Sequence, residues 1–137
     1  MPCILRASFK SQKAMEAFLL TSCLTPVKVH RKGERRFPNL KRNLKVNKSN
    51  SANFDVSRAK FSDLSKQIRD AIRFIKKHEL ELQRLASLST KQPPCLDFGL
   101  IRRDVPVQCD QLPTELLREM SKVGLALEMS YYDMSTD

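Results

Sequence analysis

Hydrophobic and polar residues partly alternate at the start of the chain and then recur at helical spacing. Cys3–Phe9 is rich in apolar residues and predicts a first strand. Ser11 follows as a residue type that caps helices, and the helix predicted after it ends before Pro26. Val27–Arg31 alternates again, which predicts a second strand that stops at Gly33.

The clearest helical pattern begins near Ser62, the predicted cap, where Asp63 suits the positive end of a helix. A second helical segment, Glu79–Leu88, follows directly. No glycine or proline forces a break, so the pattern leaves open whether 62–88 is one helix or two. The apolar residues that recur every three or four positions are Phe61, Leu64, Ile68, Ile72 and Ile75.

The C-terminal third predicts two strands, a helix and a last strand. Cys95–Ile101 alternates, and Val105–Cys109 predicts a further strand at a sheet edge because its proline cannot donate a ladder hydrogen bond. Leu112–Gly124 is typical of a capped helix whose final glycine adopts a left-handed conformation. Leu125–Tyr132 alternates and predicts the closing strand, with one of Tyr131 and Tyr132 in the core.

The segment 34–53 is the least regular part of the chain. We expect it to be an irregular or mobile basic segment that ends in a polar turn or mobile loop at Lys48–Asn53, before a strand around Phe54–Val56. No repeat and no second domain are visible. The pattern therefore predicts a single α+β domain over residues 1–137, with a mixed, mainly antiparallel sheet and helices packed on one face.

Composition narrows the class of protein. At 137 residues, 41% of them hydrophobic, the chain is large enough to fold without disulfides or a structural metal. Its apolar runs are shorter than the ~20 residues that a membrane span needs or the roughly 7–15 of a secretory signal core. We therefore expect a cytoplasmic protein that does not enter a membrane.

Residues with catalytic potential are present, but they form no recognisable motif. The four cysteines are widely spaced and are expected to be reduced, mostly as small core residues. Cys23 with His30, or Cys109 with His78, remain open as nucleophile and base pairs. Three isolated glycines exclude a phosphate-binding loop, and no paired metal ligands occur. We expect neither an enzyme nor a cofactor.

Charge is the strongest compositional signal, because the net charge of +10 is unevenly placed. Between Lys28 and Lys48 there are nine basic residues and one acid, Glu34, whereas from Asp110 onward there are six acids and two basic residues. The segment is either a solvated loop or a recognition surface. The residues we predict to bind a partner are Lys28, Arg31, Lys32, Arg35, Arg36, Lys41, Arg42 and Lys45.

Two kinds of partner fit such a surface. Opposite charge steers an acidic protein into place, and exposed Phe37, Leu40 or Leu44 would then anchor the interface, unless they are core residues of an irregular strand. Alternatively, lysine and arginine bind phosphate backbones with little regard for base sequence. Sparse aromatic residues and the absence of a nucleic-acid module favour the protein partner.

Five local motifs, spread over nearly the whole chain, carry a resemblance to a known family. They are Leu24–Pro26, Arg31–Glu34, Leu112–Leu117, Val123–Gly124 and Leu125–Tyr132. These motifs resemble the bacterial family known as domain of unknown function 4279. The resemblance implies an α+β fold, no assigned enzymatic activity and, for some relatives, a setting typical of toxin immunity proteins. This chain differs in having no tryptophan, with Phe54 in place of an aromatic anchor, and an unusually basic centre.

The sequence thus predicts a non-enzymatic binding protein, of the immunity type, that occludes a protein partner, such as an acidic toxin, through a basic surface. The alternative is a sequence-tolerant nucleic-acid-binding protein that uses the Lys28–Lys48 segment. The sequence leaves the partner's identity and the oligomeric state open.

Overall fold

Five strands and four helices make up the part of the chain that the computed structural model describes, residues 2–36, 39, 45–88 and 92–133. In chain order they are β1 (Cys3–Phe9), α1 (Gln12–Thr21), β2 (Lys28–His30), β3 (Asn50–Ser57), α2 (Leu64–Lys77), α3 (Glu79–Leu88), β4 (Cys95–Ile101), α4 (Thr114–Val123) and β5 (Ala126–Tyr132).

The strands form one sheet in the order β2-β3-β1-β4-β5. The pairs β2–β3, β3–β1 and β1–β4 are antiparallel, and β5 runs parallel to β4. With α2 and α3 together forming the second crossover, the elements up to β4 follow the split βαβ arrangement of ferredoxin-like folds, in which each crossover skips one strand. The helix α4 and the strand β5 extend this arrangement at one edge, and the predicted α+β class is confirmed.

The helices pack on one face of the sheet, as predicted. Alternate residues of β1, such as Leu5 and Ala7, are buried against this layer, whereas Arg6 between them is exposed. Phe54 of β3 and Phe98 of β4 lie on the same buried face as Leu5. The core continues into the helices through Met15, Phe18, Ile68, Ile75, Leu82, Leu116 and Met120.

Helix ends follow the chemistry of the capping residues. The Ser11 hydroxyl accepts a hydrogen bond from the Ala14 amide at 3.0 Å, and Gly124 closes α4 in the left-handed conformation at φ 80°. The predicted cap Ser62 is wrong by one residue, because the Asp63 side chain accepts from the Lys66 amide. The structure also resolves the open question about 62–88: α2 ends at its C-cap His78, and α3 follows.

Two predicted backbone assignments are wrong. Val105–Cys109 is a loop, because the Gln108 side chain binds the backbone that a partner strand would need. Its Nε2 donates to the Ile101 carbonyl at 3.0 Å, and its Oε1 accepts from the Arg103 amide at 2.8 Å. Residues 50–53, predicted as a turn, begin β3, where Ala52 is fully buried.

Side-chain burial corrects two further predictions. Neither Tyr131 nor Tyr132 is a core residue, since they are 45% and 40% exposed on the edge strand β5. Among the cysteines, only Cys3 is a buried core residue, while Cys95 is half-buried and Cys23 and Cys109 are exposed. Sequence patterning did not reveal that β5 is an edge strand.

Two adjacent leucines on α4 provide a matched test of this packing. Leu116 is fully buried and Leu117 is 43% exposed. Leu116→Ala should lower the free energy of unfolding by about 2–5 kcal/mol, because it removes buried apolar contacts and leaves a cavity. Leu117→Ala should cost less than about 0.5 kcal/mol. Urea denaturation of both variants measures the difference, and equal losses would contradict the packing of α4.

Candidate binding groove

The sheet face opposite the helices is polar and partly open. Arg6 of β1 projects from this face, with Asn53 of β3 directly across from it. Ser51 and Asp55 alternate with the buried residues of β3 and so share the polar face. One-sided burial therefore leaves a polar floor on which a binding site can form.

A groove with a volume of about 920 Å³ lies on this face, above β3 and the edge strand β2. Its lining combines cationic side chains with neutral hydrogen-bonding groups. Among the described residues that line it, none carries a carboxylate. These residues are Arg6, Lys28, His30, Arg36, Lys45, Val46, Asn47, Lys48, Ser49, Ser51 and Asn53.

A hairpin between β2 and β3 positions the basic wall of this groove. Gly33, in the left-handed conformation at φ 86°, turns the chain and donates its amide to the Asn47 carbonyl at 3.0 Å. The Arg36 amide donates to the Lys45 carbonyl at 2.9 Å, which aligns the two arms of the hairpin. We call residues 31–36 and 45–49 the hairpin arms. Their pairing brings Arg36 and Lys45 to the same groove although nine positions separate them in sequence.

His30 lies in the groove and is influenced by the charges of Lys28 and Arg36. Burial lowers the pKa of its imidazole, and the charges of Lys28 and Arg36 lower it further, while a hydrogen bond with Asn47 acts in the opposite direction. His30 is therefore neutral near pH 7 in the absence of a ligand. An anion bound beside it would offset the lysine and arginine charges and favour the protonated imidazole.

Arg6 lines the groove and also contacts two carboxylates beside it, those of Asp97 and Glu128. Its guanidinium lies 2.7 Å from Asp97, whose side chain is 2% exposed, and 3.8 Å from Glu128. Ser130 donates its hydroxyl to Asp97 at 2.8 Å. Burial raises the pKa of Asp97, and the Ser130 hydrogen bond and the Arg6 charge only partly oppose this. Cys95 donates its thiol to Glu128 at 3.5 Å.

The predicted partner-binding residues do not all share this groove. Lys28, Arg36 and Lys45 line it. Arg31 instead pairs with Glu16 of α1 at 2.7 Å. Lys32 and Arg35 are exposed but do not line the groove. The remaining two, Lys41 and Arg42, lie outside the described residues, as do Phe37, Leu40 and Leu44.

Sequence reasoning missed Arg6 and His30, and it counted Lys48 as basic without assigning it to the site. Arg6 is far from the basic segment in sequence and comes close because β1 lies next to β3. One signal was available, since Arg6 is the only charged residue in the otherwise uncharged strand Cys3–Phe9. A charge at an outward position of a central strand marks the polar face of a sheet.

In the described part of the chain, the candidate metal ligands and nucleophiles are dispersed, except for one cysteine–histidine pair. No group of three or more histidine, cysteine or acidic side chains there could hold a metal ion. The sequence left two cysteine–histidine pairs possible, Cys23 with His30 and Cys109 with His78. The structure shows a different pair, because the Cys23 sulfur lies 3.8 Å from Nδ1 of His78. Among the helices of the described residues, none has the length and apolar character needed to cross a bilayer.

Comparison with known proteins gives no relative: no family model, no curated protein and no solved structure matches the chain.

The buried Asp97 predicts a specific pH dependence of stability. Its carboxyl titrates near 3.8 when unfolded and higher when folded, so the folded state binds more protons between these two values. Asp97 therefore adds to wild-type stability as the pH falls through that window. Asp97→Asn cannot take up this proton. As the pH falls from about 7 to about 4, the free energy of unfolding of the wild type should therefore increase relative to that of the Asp97→Asn variant. A pH-independent difference in denaturant titrations would contradict this.

Proposed function

We propose that this protein is a non-enzymatic binding protein that captures an acidic segment of a partner protein in the basic groove. The observation that carries the proposal is the charge of the groove lining. Five lysine and arginine side chains converge there, and no described lining residue is acidic. The cationic residues are Arg6, Lys28, Arg36, Lys45 and Lys48.

The groove also has the secondary features of a protein interface. Val46 lies in the lining and is 49% exposed, which gives an apolar contact within a polar surround. The side-chain amide of Asn53 can both donate and accept a hydrogen bond and so matches a peptide backbone, whereas the Asn47 side chain already donates to the Arg31 carbonyl at 3.1 Å. Charge then steers the encounter, and short-range contacts hold the complex.

The rest of the polar face favours a protein over a nucleic acid. No phenylalanine, tyrosine or tryptophan lines the described part of the groove, so it lacks the large aromatic platforms on which unpaired bases stack. Beyond Arg6 the face carries Asp97 and Glu128, which would repel a phosphate backbone that continued across the sheet. A protein can place an acidic segment in the groove and neutral or basic residues over these carboxylates.

Occlusion of a toxin, as by immunity proteins, is a narrower form of the same proposal. It rests on the resemblance to the family known as domain of unknown function 4279, which remains a prediction. Binding without chemistry is the shared element, because an immunity protein needs a complementary surface and no catalytic groups. Cytoplasmic location belongs to the same prediction.

Nucleic-acid binding is the second candidate, and the hairpin arms favour it. A two-stranded ribbon fits the major groove of duplex DNA, and this one presents Arg35, Arg36, Lys45 and Lys48 as exposed basic residues. Such binding would depend steeply on salt and little on base sequence.

Four substitutions in the groove test the main proposal: Lys28→Gln, Arg36→Gln, Lys45→Gln and Lys48→Gln combined. A surface ion pair contributes up to about 1 kcal/mol, so losing four should weaken binding of a labelled polyglutamate peptide by about 10- to 100-fold. Fluorescence anisotropy at about 0.15 M salt measures this under physiological screening.

A matched control removes the same charge from other surfaces. Lys13, Arg69, Lys77 and Arg118 are exposed residues of the helices, which pack on the sheet face opposite the groove, and none of them lines the groove. Changing all four to glutamine should leave peptide affinity within about twofold, because screening limits the reach of surface charges to about 8 Å. Equal losses in both variants would refute the groove as the site. Tighter, steeply salt-dependent binding of a mixed-sequence oligonucleotide would favour the second candidate.

A further inference from the structure

The four cysteines differ sharply in chemical environment. Cys3 is buried in the core, where burial and nearby carboxylates raise the pKa of its thiol beyond the usual range. Burial and the hydrogen bond to Glu128 raise the pKa of Cys95 to about 12. Cys23 and Cys109 are the two exposed thiols. Because the thiolate is the reactive form, Cys3 and Cys95 are poor nucleophiles.

Cys23 differs from Cys109 in having an imidazole beside it. The Cys23 sulfur lies 3.8 Å from Nδ1 of His78, within hydrogen-bond distance for sulfur. When the ring carries its proton on Nε2, Nδ1 is an acceptor for the thiol hydrogen. In the described part of the chain this is the one hydrogen bond between a cysteine and a histidine.

The fold holds both members of this pair. Cys23 follows the C-cap Ser22 of α1, whose amide donates to the Phe18 carbonyl at 2.9 Å. His78 is the C-cap of α2, and its ring packs against Phe74 with centroids 4.8 Å apart. The pair therefore lies where the end of α1 meets the break between α2 and α3.

We propose that Cys23 is a modification site for small disulfides, with His78 as the base that accepts the thiol proton. The Cys23 sulfur attacks one sulfur of the disulfide, a new S–S bond forms, and the original S–S bond breaks. The proton moves from the thiol to His78 Nδ1 and then to the departing thiolate. The products are a mixed disulfide on Cys23 and one free small thiol, with no other oxidant required.

The charges around His78 are compatible with this role. Burial and the neighbouring charge of Lys77 lower the pKa of the imidazole, and Glu81 of α3 partly opposes them. Arg84 pairs with Glu81 at 3.2 Å, which reduces its influence. His78 is therefore unprotonated near neutral pH and available as an acceptor.

Reaction of the folded protein with an aromatic disulfide that releases a coloured thiolate tests the proposal. Cys23→Ser and Cys109→Ser each leave one exposed thiol, and peptide mass analysis identifies the modified residue. The Cys109→Ser protein should react about tenfold faster near pH 7 than the Cys23→Ser protein, because only Cys23 has a base beside it. The expected gain is modest, since base assistance is larger when the contact between thiol and base is short. Equal rates would overturn the proposal.

His78→Gln, made in the Cys109→Ser background, removes the base while keeping a polar side chain at the helix end. Its rate at Cys23 should fall to that of Cys109. If this variant does not fold, the pH profile of the Cys109→Ser protein decides instead. Its rate should rise through an inflection below the ordinary imidazole value of 6.5. A rise only near the ordinary thiol value of about 8.5 would overturn the role of His78.

Discussion

Burial of the sheet on one face only is the constraint on which the rest of this structure depends. The buried residues of β1, such as Leu5 and Phe9, point to the helices, and Arg6 points the other way. Since β1 is the central strand, its alternation fixes the faces of β3 and β4 through their paired registers. Any shift by one residue would bury Arg6 and expose the core. The polar face, and hence the groove, is a consequence of this single register.

Arg6 connects two regions of opposite charge on that polar face. On one side it neutralises the buried Asp97 and approaches Glu128; on the other it lines the basic groove. A buried carboxylate without a partner would be costly, so the acidic cluster holds Arg6 in place. The floor of the groove is therefore built on the strands of the sheet, whereas its wall comes from the surface hairpin. This division suits a binding site, because the strands position Arg6 and Lys28 while the hairpin arms supply Arg36, Lys45 and Lys48.

Local sequence patterns predicted the bounds of an element correctly where all the local signals favoured the same structure. Cys3–Phe9 and Cys95–Ile101 match β1 and β4 residue for residue, because alternation and flanking polar residues agree there. Asn50–Asn53 was predicted as a polar turn or mobile loop because its side chains are mostly polar, but Ser51 and Asn53 face the open side of the sheet while Asn50 and Ala52 are buried. Val105–Cys109 failed for the opposite reason: its residues favour a strand, and Gln108 occupies the hydrogen bonds that a strand would use. Burial of alternate residues in the sheet outweighed local propensity in the first case, and nearby side-chain-to-backbone hydrogen bonds outweighed it in the second.

The sequence by itself determined the α+β class, the helix caps at Ser11 and Gly124, and the concentration of charge between Lys28 and Lys48, because these depend on residue type and short-range spacing. The tertiary structure alone decided which charges act together. Strand pairing brings Arg6 to the groove, and an ion pair with Glu16 takes Arg31 away from it. It also placed Cys23 beside His78, 55 positions later in the chain. Such contacts are set by how distant segments pack, and no local spacing in the sequence encodes them.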